Sequence, residues 1–434
     1  MPDPRKILRE LMDAAIAAAH PAKTLGVHLP DISAYSRVFV TGAGKAASAM
    51  VQALEAHYAS TGAVDRLSGE VATRHGYQLP SSGIKISQAG HPVPDDASVA
   101  ASHAALAIAD AAREDDLVIA LLSGGASAIW TGLAPGITLE RYQDLTRDLL
   151  RSGATISEIN TVRKHLSCIS GGRLAARVAP AQLMTFAISD VSGDDPSMIG
   201  SGPTVPDPTT LDDAANLLRK YDVAPAAPIA AALADPANET PKPGDPAFAN
   251  SSYRLIAAPK MSLDAAAKTA EAHGYTPVVL GDAIEGEARD VALTHAKQAM
   301  THAREGKKIA MMSGGELTVT IAGNGRGGPN QEYALALAIA LDGAPNIHVL
   351  AADTDGTDGG DGSADDPAGA IVTPDTLARA DSLGLDASAA LAQNDSAGFF
   401  RALNDLIVTG ATQTNVNDFR VILIDPTDEG QLSS

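Results

Sequence analysis

Residues 38–47 read Val-Phe-Val-Thr-Gly-Ala-Gly-Lys-Ala-Ala, a short apolar run that breaks into a glycine-rich turn and then into helix formers. The run predicts a strand over 38–40, and the apolar periodicity that follows predicts a helix over 45–58. The same grammar repeats downstream. Segments 70–73, 117–122 and 183–188 read as further strands, with a helix over 96–112 between two of them. Alternation of this kind predicts a doubly wound, Rossmann-like α/β domain, a parallel sheet with helices on both faces.

At 434 residues the chain exceeds what one hydrophobic core usually spans, so a second domain is expected. Six prolines fall between Pro225 and Pro246 among Ala, Asp and Gly, a composition that suits neither a long helix nor a central strand. The expected layout is therefore an N-terminal domain over 1–224, a proline-rich boundary over 225–250 and a C-terminal domain over 251–434. In the latter, strands are expected at 253–257, 276–280, 309–312, 317–321 and 347–352, with helices at 262–273 and 330–341. The strands flanking Gly314-Gly315 are close enough to form a hairpin, which predicts an α/β/α domain with a mixed sheet.

A formal charge of −20 with no Lys/Arg block argues against nucleic acid and anionic membrane as partners, because both need a basic surface. Small anions are still admissible, provided the few cations are gathered locally. Cys168 is the single cysteine, so no internal disulfide forms, and a reducing, cytoplasmic setting is expected. The start, Met1 to Lys6, leads into an Ala-rich amphipathic helix, and no stretch reaches the roughly 18 apolar residues of a membrane span.

Three apolar strands run into small-residue loops: Thr41-Gly42-Ala43-Gly44-Lys45, Ser123-Gly124-Gly125-Ala126-Ser127 and Ser313-Gly314-Gly315-Glu316. Glycines at the carboxyl end of a strand let backbone N–H groups converge on phosphate or carboxylate oxygens. Each loop taken singly reads equally as a tight turn that needs positive φ. Lys45 can reach an anion held by its own loop, or stand as a solvated lysine at a helix start. Arg326, in the glycine-rich run Gly323-Asn324-Gly325-Arg326-Gly327-Gly328 ahead of an expected N-cap at Asn330, can fork two phosphoryl oxygens, or be an exposed arginine on a mobile loop.

Two acidic loops follow strands, one over 189–195 and one over 353–362. Carboxylates so placed suit Mg²⁺, which takes one or two of them with waters and substrate phosphates. Asp190 is the candidate base or Mg²⁺-orienting group and Asp355 the candidate metal-side carboxylate, though Asp is also a common turn residue. Asn160, Arg163 and Lys164, on an expected helix, could fix a carboxylate; the two cations read equally as surface charges.

Gly42-x-Gly44-x-x-Ala47 also matches a relaxed dinucleotide fingerprint. That reading needs an acid near the carboxyl end of the second strand, but Glu70 opens the run and Arg74-His75 close it. The phosphate-loop motif of NTPases fails too, since Phe39 stands at its first glycine and Ala46 follows Lys45.

Taken in order, VTGAGKAA (40–47), GHPVPD (90–95), LLSGGASA (121–128), INTVRKHLS (159–167) and SDVSGDDPSMIGSGPT (189–204) resemble the MOFRL-containing glycerate kinases, also called glycerate 2-kinases. SGGELTVT (313–320), GRGGPNQEYALA (325–336) and DTDGTDGGDGSA (353–364) extend the resemblance over nearly the whole chain. It implies ATP and Mg²⁺, D-glycerate as acceptor, 2-phosphoglycerate as product, an active site in the cleft between the domains, and a need for Lys45 and Arg326. A homodimer is left open. An NAD(P)H-dependent hydroxypyruvate reductase and a non-catalytic nucleotide-binding sensor stand as alternatives.

Overall fold

The computed structural model describes residues 3–360 and 365–426. They divide into two units, one of Pro21–Ala257 and one that joins Met1–His20 to Ala258–Ser434. Among the described residues no helix is long and apolar enough to cross a membrane.

The Pro21–Ala257 unit holds one six-stranded sheet: β1 Val38–Ala43, β2 Leu67–Arg74, β3 Lys85–Ala89, β4 Leu117–Leu122, β5 Gln182–Ile188 and β6 Ser251–Ala257. All neighbours are parallel in the order β3-β2-β1-β4-β5-β6. Every residue of β4 is buried, as expected of a central strand covered on both faces. The strand order reverses between β1 and β4, which makes their carboxyl ends the crevice where open α/β sheets bind ligands.

The proline-rich stretch does not separate the units. Three of its six prolines, Pro228, Pro236 and Pro246, sit in the first turns of a helix, Ala227–Ala234, and of the 3₁₀ turns Pro236–Asn238 and Pro246–Phe248, where the missing N–H is of no consequence. Ile229, Ala232 and Leu233 are buried in a core with Ile159, Val162 and Leu218. The strand expected to open the second sheet instead pairs with β5 as β6, so the structure divides the chain after Ala257 rather than at 225–250. The first helix, Pro4–Ala19, joins the other unit, where Leu8, Leu11 and Ala15 share a core with Leu263 and Ala266 of the helix Pro259–Ala272.

That unit is built on β7 Thr276–Gly281, β9 Ile309–Ser313, β11 Ile347–Asp353, β12 Gly369–Val372, β13 Leu406–Ile407 and β14 Asp418–Ile424, in the order β13-β12-β11-β14-β9-β7. Only β7 and β9 run parallel, so the sheet is mixed. Along β11, Ile347, Val349 and Ala351 enter one core and Leu350 and Ala352 the other, the period-two signature of a sheet between two helical layers. The expected hairpin at Gly314-Gly315 does not form. Gly315, at φ 108°, turns the chain away from β9, and β10 (Leu317–Thr318) pairs with the short β8 (Gly286–Glu287).

In the parallel sheet, β1 and β4 approach so closely that a Cβ at Gly42 would lie 2.3 Å from the Leu121 carbonyl oxygen, and one at Gly44, at φ 138°, would lie 2.1 Å from Ser123 Oγ. Gly44→Ala should therefore lose about 1–3 kcal/mol through overpacking, on top of its backbone strain. Gly76→Ala, which has positive φ but open space around it, is the control for strain alone. Thermal melting of both variants decides; equal melting temperatures would show that the close approach carries no stability.

Candidate active site

The loops after β1 and β4 interlock at the crevice. The Gly44 N–H donates to the Ala72 carbonyl (3.2 Å), the Lys45 N–H to the Gly124 carbonyl (2.9 Å) and the Ala46 N–H to Ser123 Oγ (3.0 Å). Ser123 N–H in turn donates to the Ala43 carbonyl, and Thr73 Oγ1 to the Gly44 carbonyl. The amides of the first loop are thus used internally, and Gly42 and Gly44 serve close packing. The N–H groups of Gly124 and Gly125 make no hydrogen bond among the described residues. The side chains of His91 and Lys45 crowd Gly125: a Cβ there would lie 2.8 Å from His91 Cδ2 and 3.4 Å from Lys45 Cγ. Lys45 is half-buried, and its position follows from the loop beneath it rather than from surface chance.

The β5 loop completes this group. Ser201 Oγ lies 2.7 Å from Ser127 Oγ, and the turn Ile199–Ser201 packs against both the short helix Ala126–Ile129 and the helix Ile156–His165. That second helix carries three of the expected site residues in different surroundings. Asn160 is buried with Oδ1 unpartnered among the described residues; Arg163 lies 5.8 Å from the centre of the Tyr142 ring, with its Nε likewise unpartnered. Lys164 points the other way, its ammonium 3.3 Å from Asp207, with the side chains 2% and 0% exposed. Burial works to raise the Asp207 pKa, but the Lys164 charge and the Thr209 N–H and O–H outweigh it and hold the carboxyl below its usual range. Lys164 is therefore the partner of a buried carboxylate and not an open anion-binding group.

Asp190 follows β5 and is half-buried. Burial, and then the charges of Asp194, Asp195 and Asp190, push the Tyr253 hydroxyl well above its ordinary pKa; that hydroxyl is buried with no hydrogen-bond partner among the described residues. Three carboxylates and one orphaned phenol thus gather at the β5 loop.

In the mixed-sheet unit the Ser313-Gly314-Gly315 loop is buried and locked by Arg420, which is 1% exposed. The guanidinium donates to Ser313 Oγ (3.1 Å), to the Gly314 carbonyl (2.5 Å) and to Asp418 (2.7 Å). Asp418 also accepts from Asn330 Nδ2 (2.5 Å) and the Leu317 N–H (3.2 Å). Glu316 is exposed. Asn330 is not the N-cap of its helix, Pro329–Leu341; Gly328 is. The carboxylate of Asp358 takes that role from a distance, accepting from the N–H groups of Asn330 (3.0 Å) and Gln331 (2.8 Å). Burial pushes this carboxyl up to about 7, against the pull of those two donors.

Arg326 lies on an exposed loop pinned to 393–397: the Gly325 N–H donates to the Gln393 carbonyl, the Arg326 N–H to Asp395, and the Ala397 N–H to the Arg326 carbonyl. Its guanidinium makes no hydrogen bond among the described residues. Asp355 is 1% exposed and accepts the Thr357 N–H within its own turn (2.8 Å). Asp361 and Gly362, also read as part of this acidic loop, lie outside the described residues. No group of three or more His, Cys, Asp or Glu among the described residues is arranged to hold a metal ion.

Comparison with known proteins assigns residues 7–234 to a domain of unknown function, DUF4147, and residues 309–418 to the MOFRL family. A D-glycerate 2-kinase of Thermotoga maritima is 37% identical over 425 residues, covering 97% of this chain and 98% of that one. An Agrobacterium vitis protein provisionally named hydroxypyruvate reductase is 46% identical over 426 residues, 97% of this chain and 94% of that one. A crystal structure of glycerate kinase from Thermotoga maritima matches with a TM-score of 0.84 at 36% identity, covering 97% of this chain and 99% of that one.

If Lys164 serves Asp207, then Lys164→Met leaves a buried carboxylate uncompensated and should cost about 3–5 kcal/mol of stability. Urea unfolding measures it, and Lys164→Met with Asp207→Asn should recover part of the loss. A variant that melts like the wild type and loses only substrate affinity would return Lys164 to the binding site.

Proposed function

This chain belongs to the glycerate kinase family that carries a MOFRL domain, and we propose that it transfers the γ-phosphoryl group of ATP to the 2-hydroxyl of D-glycerate, with Mg²⁺ as cofactor. The observation that carries the reading is the meeting of Lys45 with the unclaimed Gly124 and Gly125 amides at the β1/β4 reversal.

Phosphoryl transfer asks a protein chiefly for positioning and for charge opposite the transferring group. Lys45 offers a point charge to a phosphoryl oxygen, and the two glycine amides offer directed donors to a neighbouring one. Asp190 accepts the proton as the 2-hydroxyl oxygen bonds to the γ-phosphorus and the bond from that phosphorus to the β,γ-bridging oxygen breaks, leaving ADP and 2-phosphoglycerate. Arg163 faces the glycerate carboxylate, and Asn160 Oδ1, which lacks a donor among the described residues, accepts from a glycerate hydroxyl. Arg326 forks phosphoryl oxygens with a guanidinium that no other described group engages.

The residues fit Mg²⁺, a hard cation that takes one or two carboxylate oxygens and fills its shell with water and substrate phosphate. Asp194 and Asp195, beside Asp190 and the orphaned Tyr253 hydroxyl, would hold it. Bound, it supplies charge neutralisation at the phosphoryl oxygens. Asp355, already accepting within its turn, is the weaker assignment.

Hydroxypyruvate reduction is the second reading, and two features oppose it. A dinucleotide loop offers its amides to the pyrophosphate, whereas those of Gly44, Lys45 and Ala46 are bonded internally. The ribose acid is missing as well: β2 ends on Thr73 and Arg74, while Glu70 sits opposite Thr41 within the sheet, bonded by Lys85 at 3.0 Å.

Phosphorus NMR of a reaction with ATP, Mg²⁺ and D-glycerate should show 2-phosphoglycerate. The appearance of 3-phosphoglycerate, or of NADH or NADPH oxidation with hydroxypyruvate and no phosphoryl transfer, would overturn the proposal. Arg326→Lys keeps the charge and loses the fork, and turnover should fall steeply, since catalytic arginines in phosphoryl transfer contribute about 10³–10⁵ in rate. Lys45→Ala should also lower turnover. Both proteins should melt as the wild type does, and wild-type turnover in Arg326→Lys would remove the bidentate role.

A further inference from the structure

A second concave site lies in the Pro21–Ala257 unit. A cavity of about 710 Å³ opens between the helix Arg173–Val178 and the 228–241 segment, and no residue of the β1, β3, β4 or β5 loops lines it. Its size falls within the roughly 300–1,000 Å³ of small-molecule pockets. Part of the wall is apolar, formed by Pro135, Ala176, Pro228 and Ala232. The polar part carries two arginines one helical turn apart, Arg173 and Arg177.

The two arginines differ in what answers their charge. Arg177 donates through Nε and Nη2 to the carboxylate of Asp110. Arg173 donates only to main-chain carbonyls, those of Glu239 (3.3 Å) and Asn238 (2.5 Å); its Nε has no acceptor, and it forms no ion pair among the described residues. Burial pulls its pKa down, while the nearby Cys168, Glu239 and Asp207 work the other way. A largely buried guanidinium without a carboxylate is costly to maintain unless something else compensates it.

Two carboxylates share the lining and set the limits of the site. Glu239 is already engaged by Lys242 and His165 and by the N–H groups of Leu211 and Thr240. Among the described residues Asp235 accepts only the Ala237 N–H, and it is exposed, so of the two lining carboxylates it is the opposing charge still in play. An anion would have to seat on the Arg173 side. Cys168, the only thiol of the chain, lines the same cavity.

We propose that this cavity is a second ligand site, separate from the phosphoryl-transfer loops, which takes a small organic anion with its carboxylate or phosphonate-like group against Arg173 and an apolar body along Pro135, Ala176 and Pro228.

The thiol provides the readout. Modification of Cys168 by the neutral reagent 4,4′-dithiodipyridine is timed in the full-length protein with phenylphosphonate, benzoate or uncharged benzyl alcohol. Both anions should slow the reaction saturably and benzyl alcohol should not. In Arg173→Gln the half-protecting concentration should rise about tenfold or more, as expected for loss of a charge-assisted contact. In Asp235→Asn, which keeps an acceptor for the Ala237 N–H, it should fall, so the test survives even if Arg173→Gln fails to fold. Lys45→Ala should be protected like the wild type, which separates this site from the first. Absence of protection by either anion, equal protection by benzyl alcohol, loss of protection in Lys45→Ala, or no change in Asp235→Asn would each overturn the proposal.

Discussion

The close approach of β1 and β4 at their carboxyl ends is the contact on which the parallel-sheet site depends. Two positions on β1 and its turn, Gly42 and Gly44, leave room for Leu121 and Ser123 where any side chain would collide. With that room the Ala46 N–H reaches Ser123 Oγ and the Lys45 N–H reaches the Gly124 carbonyl. These bonds fix the first turn of the helix Ala47–Ser60 and set Lys45 beside Gly125 and His91. Because the first loop's donors are satisfied from within, the unclaimed amides belong to the second loop, and the lysine belongs to the first. One constraint thus divides two roles that a simple phosphate-cradling loop would combine.

The acidic composition imposes a related economy. With 52 acidic residues against 32 lysines and arginines, buried cations have carboxylates at hand, and Lys164–Asp207 and Arg420–Asp418 use them. Arg420 does more than neutralise. It joins β14, the end of β9 and the Gly314 carbonyl into one buried node, so the Ser-Gly-Gly turn of the mixed sheet is held by a side chain more than a hundred residues away. The guanidinium groups of Arg173 and Arg326 differ from these two in having no carboxylate partner among the described residues.

Local patterns in the sequence were sufficient for much of the fold. The run LVIALL forms β4 over the expected bounds, and the 96–112 expectation meets its helix, Asp96–Ala111, at the start, where Asp95 and Ser98 make a capping box, and overruns it by one residue at the end. What depended on distant partners was not legible. The 253–257 run has the composition of a strand, but only the free edge of β5 decides which sheet it joins. Asn330 looks like a cap by type, whereas the helix start is held by Asp358, which no local spacing rule connects to it. Lys164 is separated from Asp207 by 43 positions, and the motif around it gave no sign that its ammonium faces inward. His91 had a signal in GHPVPD, and Ser201 in the run that ends SGPT; neither run states which loop its residue will meet. The glycine loops were found correctly as loops, while the direction of their amides required the backbone.

Amide hydrogen exchange, resolved to single residues in the free protein and with a non-hydrolysable ATP analogue plus D-glycerate, tests that division of roles most directly. Amides already bonded within the protein exchange slowly before any ligand arrives, and amides reserved for a ligand slow only when it binds. The expected result is protection of Gly44, Lys45 and Ala46 in both states, with Gly124 and Gly125 gaining protection in the complex. Rapid exchange at 44–46 in the free protein that slows on binding, with Gly124 and Gly125 unchanged, would contradict it.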